Sequence, residues 1–170
     1  VLTAVQQAEE IGARALRPAI ALPARWLRVQ HALSTGDVAA AGGWVEGAEY
    51  ELAPLPPSLR APGLLLAARV RLAQQRPDLA LALLTPLRAA AATAGRTGHL
   101  IAILVLHALA LAQRGDRTRA VQTLLDALAP AEPEGYRRLF LDEGPAIRPL
   151  LMEAQQQGRA GRYAAALLEQ

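Results

Sequence analysis

The sequence predicts an all-α protein in which antiparallel helix pairs stack into a right-handed superhelix. Three observations point to this class. Apolar residues make up 52% of the chain and aromatic residues only 4%, and 38 of the 170 residues are alanine, so strong helix formers dominate. No run of four to eight residues keeps the alternation that a half-buried strand requires. A short acidic turn recurs along the chain, as expected of a helical repeat.

The recurring turn lies in the segments LSTGDVAAA, AQQRPDLALA and AQRGDRTRA. In each, an aspartate follows a glycine or a proline: Gly36 and Asp37, Pro77 and Asp78, Gly115 and Asp116. The aspartates lie 41 and then 38 residues apart, and alanines follow each at four and eleven positions: Ala41 and Ala48, Ala82 and Ala89, Ala120 and Ala127. We expect the glycine to end one helix, the aspartate to cap the next, and the alanines to lie where two helices cross closely.

These turns and the prolines set the predicted helix boundaries. The segment ELAPLPPSLRAPG contains four prolines, which interrupt helix formation and indicate a connection within one domain. In chain order, the predicted helices span residues 3–16, 21–34, 37–50, 59–75, 78–94, 97–114, 117–129, 134–141, 146–157 and 160–169.

The predicted domain organisation is a single repeat domain over residues 1–170. Its repeat units cover about 21–50, 59–94 and 97–129, and capping helices occupy 134–169. Because a lone helix pair cannot bury its apolar face, such pairs stack and leave a concave groove.

Composition excludes several kinds of chemistry. The chain has no cysteine, which rules out disulfides and thiolate metal sites and makes a cytoplasmic location the default. All eighteen cationic residues are arginine, so no lysine is available for a phosphate loop or a Schiff base. Neither Ser34 nor Ser58 stands in a nucleophile motif, and the three histidines lack metal-ligand spacing. We expect no enzyme, no metal and no cofactor in this segment, and an interior His107 whose ring binds a carbonyl.

Membrane and nucleic-acid interactions are disfavoured by length and charge. The most apolar run, LIAILVLHALALA, has thirteen residues, too few to cross a bilayer. The net charge is +3, but the arginines are scattered among fifteen carboxylates, whereas nucleic-acid binding requires them to cluster. The first residues show no targeting pattern, and we interpret the chain as part of a longer protein.

Three segments carry a family resemblance: AARVRLAQQRPDLALALL, AGRTGHLIAILVLHALALAQRGD and AEPEGYRRLFLDEGPAIRPLL. They resemble the tetratricopeptide-like superhelical sensor domain of LuxR-type, MalT-like ATP-dependent transcriptional regulators, and the third, at 131–151, is the most specific. The resemblance implies a bacterial regulator with an N-terminal nucleotide-binding module, a superhelix that receives the inducer, and a C-terminal helix-turn-helix domain. This chain resembles the last part of the superhelix, so DNA would be bound only through a domain that follows it.

The implied function is a regulatory sensor domain that takes part in signal transduction by binding a small-molecule inducer or a regulatory protein. A purely structural scaffold that mediates protein contacts, including a homodimer, is the alternative. Nucleic-acid binding by the arginine-rich surface is a third hypothesis, and it predicts a steep dependence on salt.

The groove of such a superhelix is lined by the first helix of each pair. The groove-facing positions with suitable chemistry are Trp26, Gln30, Arg71, Gln74, Gln75 and Gln113. An indole that stacks, amides that donate and accept, and a guanidinium for an anion suit a small molecule. The same residues are also compatible with a solvated wall without ligand. Trp44 and Tyr50 are expected to lie in the core or to pack between repeats.

The block GYRRLFLDEGP is expected to close the end of the superhelix. Tyr136 and Phe140 would supply an apolar plug. The adjacent acids Asp142 and Glu143 do not converge as a catalytic pair requires. We expect them to begin a helix with Pro145 in its first turn. The alternative is a helix that begins near Ile147, because Pro149 inside a helix from Pro145 would cost about 3 kcal/mol.

Overall fold

The computed structural model describes Ala4, Gln7 and residues 18–169. Every element in this part of the chain is helical, so the predicted all-α class of antiparallel helix pairs is confirmed. The predicted helix at 3–16 lies outside the described residues, apart from Ala4 and Gln7, which are helical. Among the helices described, none has the length and apolar character needed to cross a membrane.

The helices form two compact units, residues 1–74 and 75–170. The division falls inside the second predicted repeat, 59–94, and the predicted single domain with its repeat boundaries stays a prediction. In chain order the elements are α1 (Pro18–Ser34), α2 (Val38–Leu52), α3 (Pro57–Ala73), α4 (Pro77–Thr93), α5 (Thr97–Gln113), α6 (Arg117–Glu134), α7 (Arg138–Leu141), a 3-10 turn (Gly144–Ala146), α8 (Arg148–Ala154) and α9 (Gly158–Leu168).

In the first unit, α2 packs on both α1 and α3, and α1 also contacts α3. The buried residues of α2 recur at helical spacing, which gives the helix one apolar face: Ala41, Val45, Ala48 and Leu52. Gly63 makes the close approach of α3 possible. A Cβ at this position would collide with the Leu52 side chain and lie 3.0 Å from Cζ2 of Trp26.

The second unit is organised around α5, which packs against α4, α6 and α7. Nearly every residue of α5 between Ile101 and Leu111 is buried, as expected for an apolar helix in contact with others on several sides. Helices α8 and α9 pack on each other and on α6. Gly161 brings α9 against the backbone of α8, since a Cβ there would lie 2.7 Å from the carbonyl oxygens of Ala154 and Gln155.

The turns after α1 and α5 contain left-handed glycines. Gly36 and Gly115 have φ angles of 77° and 89°, which side chains other than glycine rarely adopt. In the first turn, the backbone N–H of Asp37 donates to the carbonyl of Ala32 at 2.8 Å. This bond satisfies one of the carbonyls that the end of α1 leaves free.

The aspartates of these two turns cap the helices that follow. The Asp37 carboxylate accepts a hydrogen bond from the backbone N–H of Ala40 at 3.0 Å. The Asp116 carboxylate accepts one from the backbone N–H of Arg119 at 3.3 Å. Each carboxylate therefore pairs an N–H that has no partner within the helix. The alanines four and eleven residues further on are fully buried: Ala41, Ala48, Ala120 and Ala127.

The middle turn differs from this prediction, because Asp78 does not cap α4. The helix begins at Pro77, Arg76 occupies the N-cap position, and Asp78 lies in the first turn. Gln75 takes the left-handed conformation that glycine has in the other two turns, with φ of 59°. The turn therefore lies two residues earlier, relative to its aspartate, than the sequence alignment predicts.

This shift also moves the small residue at the helix crossing. Counted from the N-cap Arg76, the fourth residue is Ala80, which is fully buried. The predicted Ala82 and Ala89 are exposed. The sequence analysis correctly predicted an alanine at this crossing. It placed that alanine at the wrong position, because it counted from the aspartate.

Helix α6 continues past the predicted end at residue 129. Pro130 and Pro133 lie inside it, and each removes a hydrogen bond to the carbonyl four residues before. Those carbonyls belong to exposed residues, where water can bind them. The helix stops at Gly135, with φ of 69°, and the N–H of Tyr136 closes the turn on the carbonyl of Ala131 at 3.2 Å.

The acidic pair Asp142 and Glu143 does not begin an α-helix, contrary to the prediction. Asp142 follows α7 and accepts a hydrogen bond from Nε of Arg138 at 3.0 Å. Pro145 lies in the short 3-10 turn, and α8 begins beyond it with Pro149 in its first turn. The backbone N–H groups in the first turn of a helix have no partner within the helix, and proline has no N–H. Pro149 is therefore tolerated at this position.

Candidate functional site

The residues predicted to line a groove are divided between the two units. Trp26 and Gln30 on α1 and Arg71 and Gln74 at the end of α3 belong to the first unit. Gln75 and Gln113 belong to the second. We take the first four positions, which share the first unit, as the candidate site and call them the α1/α3 surface.

Arg71 is the charged residue of the α1/α3 surface. Its side chain is 12% exposed, and Nη1 forms an ion pair with Glu46 at 2.8 Å and a hydrogen bond to Oε1 of Gln74 at 3.1 Å. Glu46 itself is 63% exposed. The guanidinium is thus held in a fixed orientation from α2 and α3, while the carboxylate that neutralises it stays in contact with solvent.

Gln74 is positioned by a close approach between the end of α3 and α2. A Cβ added to Gly42 would lie 2.7 Å from Nε2 of Gln74. Gly42 is buried within α2, so the absence of a side chain there leaves the space that the Gln74 amide occupies. The amide in turn orients Arg71 through its oxygen.

Trp26 contributes an indole whose nitrogen lacks an acceptor. The ring lies beside Gly63, with the Leu52 side chain on the same side. Nε1 of Trp26 is buried and has no hydrogen-bond partner within residues 18–169. A buried N–H without an acceptor costs about 1–3 kcal/mol, and an oxygen atom brought by a ligand would remove that cost.

The remaining predicted positions are exposed and differ in setting. Gln30 lies on the solvent side of α1. Gln75 is part of the left-handed turn before α4 and is not on a helix, which corrects the prediction that it lines a helical face. Gln113 is the exposed last residue of α5.

The aromatic residues outside this surface have different environments. Phe140 is fully buried and packs edge-to-face on Tyr163, with ring centroids 6.4 Å apart. Tyr136 is half-buried against Gly98, in the first turn of α5. Tyr50, expected to pack between repeats, is 90% exposed, and that expectation was wrong. Trp44 is half-buried, and its Nε1 also has no hydrogen-bond partner in the described part of the chain.

His107 lies on α5 without the carbonyl partner expected for it. Nδ1 is buried and has no hydrogen-bond partner among the residues that the structure describes. Burial lowers the pKa of His107 below its ordinary value, and the positive charges of Arg88, Arg119 and Arg114 lower it further. The imidazole is therefore neutral at physiological pH.

A shallow cleft of about 460 Å³ lies in the second unit and was missed by the sequence analysis. Arg117 from α6 and Glu153 from α8 form its walls and are joined by a hydrogen bond of 2.7 Å from Nε of Arg117. These two residues are 36 positions apart, and no local motif links them. Only the packing of α8 on α6 brings them together.

Comparison with protein families gives a match over most of the chain. The model described as the MalT-like TPR (tetratricopeptide repeat) region matches residues 1–157. Searches of curated proteins and of solved structures found no match. The family match covers most of the chain and agrees with its paired helices and Gly-Asp turns. The chain belongs to the MalT-like TPR region family.

Proposed function

We propose that this chain is a binding and regulatory domain of a bacterial, cytoplasmic LuxR-type transcriptional regulator, and that it catalyses no reaction itself. Its ligand, a small-molecule inducer or a regulatory protein, docks on the α1/α3 surface. The domain uses no cofactor of its own. DNA binding belongs to a further domain of the longer protein.

The observation that carries this proposal is the Trp26 indole N–H, buried without an acceptor on the helices that also present Arg71. Once the side chains that cover Nε1 move aside, a ligand oxygen would accept from the indole, the ring would stack on an apolar face, and the guanidinium would bind an anionic or polar group. Glu46 is exposed enough to move aside or to accept a hydrogen bond from a ligand hydroxyl.

The regulatory part of the proposal rests on family membership and on the block AEPEGYRRLFLDEGPAIRPLL, which resembles the LuxR-type group. A ligand shifts a protein between two states only by binding one of them more tightly. The α1/α3 surface would supply that difference in affinity, and the longer protein would supply the two states.

Tryptophan fluorescence tests the surface directly. The Trp44→Phe chain has Trp26 as its single tryptophan, and the matched Trp26→Phe chain keeps only Trp44. Both are titrated with sugars, nucleotides, amino acids and apolar small molecules. We expect at least one class to change the emission of Trp26 with saturation and to leave the Trp44 chain unchanged. No response from Trp26, or equal responses from both chains, would contradict the proposal.

A scaffold function is the second candidate, and exposed apolar side chains favour it. Leu27 and Tyr50 in the first unit are 54% and 90% exposed. Large apolar side chains in such positions are typical of protein contacts. A sedimentation series should then show self-association that weakens in a Tyr50→Ser chain. A monomer at every concentration would count against a homodimer.

A further inference from the structure

The guanidinium of Arg71, on the α1/α3 surface, uses one of its three nitrogens for contacts with the described residues. Nη1 donates a hydrogen bond to Oε1 of Glu46 at 2.8 Å and another to Oε1 of Gln74 at 3.1 Å. A guanidinium has five N–H groups, and Nη1 carries two of them. Within residues 18–169, the N–H groups of Nε and Nη2 therefore remain without an acceptor.

Nε and Nη2 keep contact with solvent although the arginine is mostly buried. The Arg71 side chain is 12% exposed. Neither nitrogen belongs to the fully buried polar atoms that lack a partner, whereas Nε1 of Trp26 does. A ligand can therefore reach these two nitrogens without the rearrangement that the indole requires.

The unused edge of the guanidinium is the one that recognises a planar pair of oxygen atoms. Nε and Nη2 point two parallel N–H bonds in the same direction, which is the bidentate arrangement that carboxylates accept. Glu46 from α2 and Gln74 at the end of α3 hold Nη1, on the opposite side of the group. Two acceptors on one nitrogen fix the guanidinium plane, so the Nε–Nη2 edge is oriented before a ligand arrives.

The charges at this edge favour a single carboxylate. Glu46 already offsets the positive charge of Arg71, and it is 63% exposed, so solvent weakens its repulsion of another anion. A carboxylate gains charge-assisted hydrogen bonds, which are roughly twice as strong as the bonds that a neutral carbonyl accepts. A phosphate has a larger negative charge, and Glu46 would repel it more strongly.

We propose that the Nε–Nη2 edge of Arg71 binds a carboxylate group, and that the ligand of the α1/α3 surface is a small carboxylic acid. The inference rests on the proposed binding function of this surface. The ligand carboxylate accepts two parallel hydrogen bonds from Nε and Nη2, while Glu46 and Gln74 keep Nη1. Glu46 limits the affinity, because its charge repels the carboxylate across the shared guanidinium.

Proton–nitrogen NMR of the arginine Nε–H groups tests this contact in the 170-residue chain. The Arg71 signal is the one that disappears in an Arg71→Lys chain. Acetate, benzoate and succinate are each titrated beside the matching amide, at constant pH and with sodium chloride keeping the ionic strength equal. We expect at least one carboxylate to shift the Arg71 Nε–H signal with saturation, and its amide to leave the signal in place. No shift with any carboxylate, or an equal shift with the amide, would overturn the proposal.

Two substitutions, followed by calorimetric titration, test the edge and its neighbour. Arg71→Lys keeps the charge but removes the parallel N–H groups, so it should weaken carboxylate binding about tenfold. Glu46→Gln keeps an acceptor for Nη1 and removes the repelling charge, so it should strengthen binding about threefold.

Arg25→Lys is the matched control for these variants. Arg25 pairs with Glu51 at 2.8 Å in the same unit, so its replacement should leave the affinity unchanged. Circular dichroism verifies that each chain is folded. Equal losses in Arg71→Lys and Arg25→Lys, or weaker binding in Glu46→Gln, would contradict the proposal.

The Trp26 fluorescence titration separates this inference from the proposed function. If a ligand without a carboxylate changes the Trp26 emission and the Arg71 Nε–H signal responds to no carboxylate, the surface binds a ligand and the carboxylate assignment is wrong. If neither reporter responds to any compound, the proposed binding function fails as well.

Discussion

At the scale of single residues, Gln75 has a backbone conformation that the other turns of this chain give to glycine. Its φ of 59° lies in the left-handed region, where a Cβ atom meets the neighbouring carbonyl and costs about 1–2 kcal/mol. The sequence analysis could not place this residue, because without a glycine at this turn nothing marks the left-handed position. It took Asp78 as the reference instead, which moved the repeat by two residues.

Replacing Gln75 by glycine should stabilise the protein. We expect Gln75→Gly to raise the free energy of unfolding by about 0.5–1 kcal/mol, because the strain relieved exceeds the entropy added to the unfolded chain. Urea unfolding measures the change. The reverse substitution, Gly115→Gln, should lower the free energy of unfolding by about 1 kcal/mol. Loss of stability in Gln75→Gly would show that the glutamine side chain stabilises this turn.

His107 makes stability depend on pH. Burial and the nearby arginines lower its pKa in the folded protein, so the unfolded chain, with a pKa of about 6.5 for histidine, takes up the proton first as pH falls. Stability is therefore complete above this value and declines below it. We expect the urea midpoint to fall between pH 7.5 and pH 5.5, and to fall less in His107→Gln. Equal decreases in the two chains would exclude a contribution from this residue.

At the scale of helices, the turns made most of the fold predictable. Glycine and aspartate mark the ends of α1 and α5 and the starts of α2 and α6, and both pairs adopt the geometry that their chemistry favours. The end of α6 was mispredicted, since Pro130 and Pro133 normally stop a helix and here lie where water can bind the freed carbonyls. The residue types of the α1/α3 surface, an indole, amides and a guanidinium, could be predicted from the sequence. Contacts between helices were not, because they depend on packing.

The capping aspartates provide a test of the turn register. Asp37→Ala removes an acceptor for the Ala40 N–H and should cost about 1 kcal/mol of stability. Asp78→Ala should cost less than about 0.5 kcal/mol, because this exposed residue complements the helix dipole in the first turn of α4 and lies 3.7 Å from Arg114, but it caps no backbone N–H. Urea unfolding of the two variants makes the comparison. Equal costs would mean that Asp78 caps α4 in solution.

Gly161 tests the close packing of α9 on α8. In Gly161→Ala the new methyl group would lie 2.7 Å from two backbone carbonyl oxygens, which cannot rotate away, so we expect a loss of about 1–3 kcal/mol. The control Gly47→Ala places a methyl group on α2 with no atom within 4 Å. That variant should gain about 0.5–1 kcal/mol from helix propensity. Thermal unfolding that ranks the variants in the opposite order would contradict this packing.

At the scale of the whole molecule, the chain is a helical repeat protein of the MalT-like TPR region family. The α1/α3 surface contains an ion-paired guanidinium and an indole N–H that has no acceptor among the described residues, and the proposed binding role rests on these two groups. Length, composition and the repeated turn were sufficient to predict the class. The residues predicted to line a groove are divided between the two units, with Gln75 and Gln113 in the second, and their binding of a ligand stays a prediction.

Thermal unfolding of the 170-residue chain against a panel of sugars, nucleotides, amino acids and apolar small molecules tests the binding function most directly. A ligand at 100 times its dissociation constant adds about 2.7 kcal/mol to the stability of the folded state. We expect at least one class to raise the midpoint, and we expect Arg71→Gln and Trp26→Phe to abolish that rise while Trp44→Phe retains it. An unchanged midpoint across the panel, or a rise that persists in the Arg71 and Trp26 variants, would contradict a ligand-binding role for the α1/α3 surface.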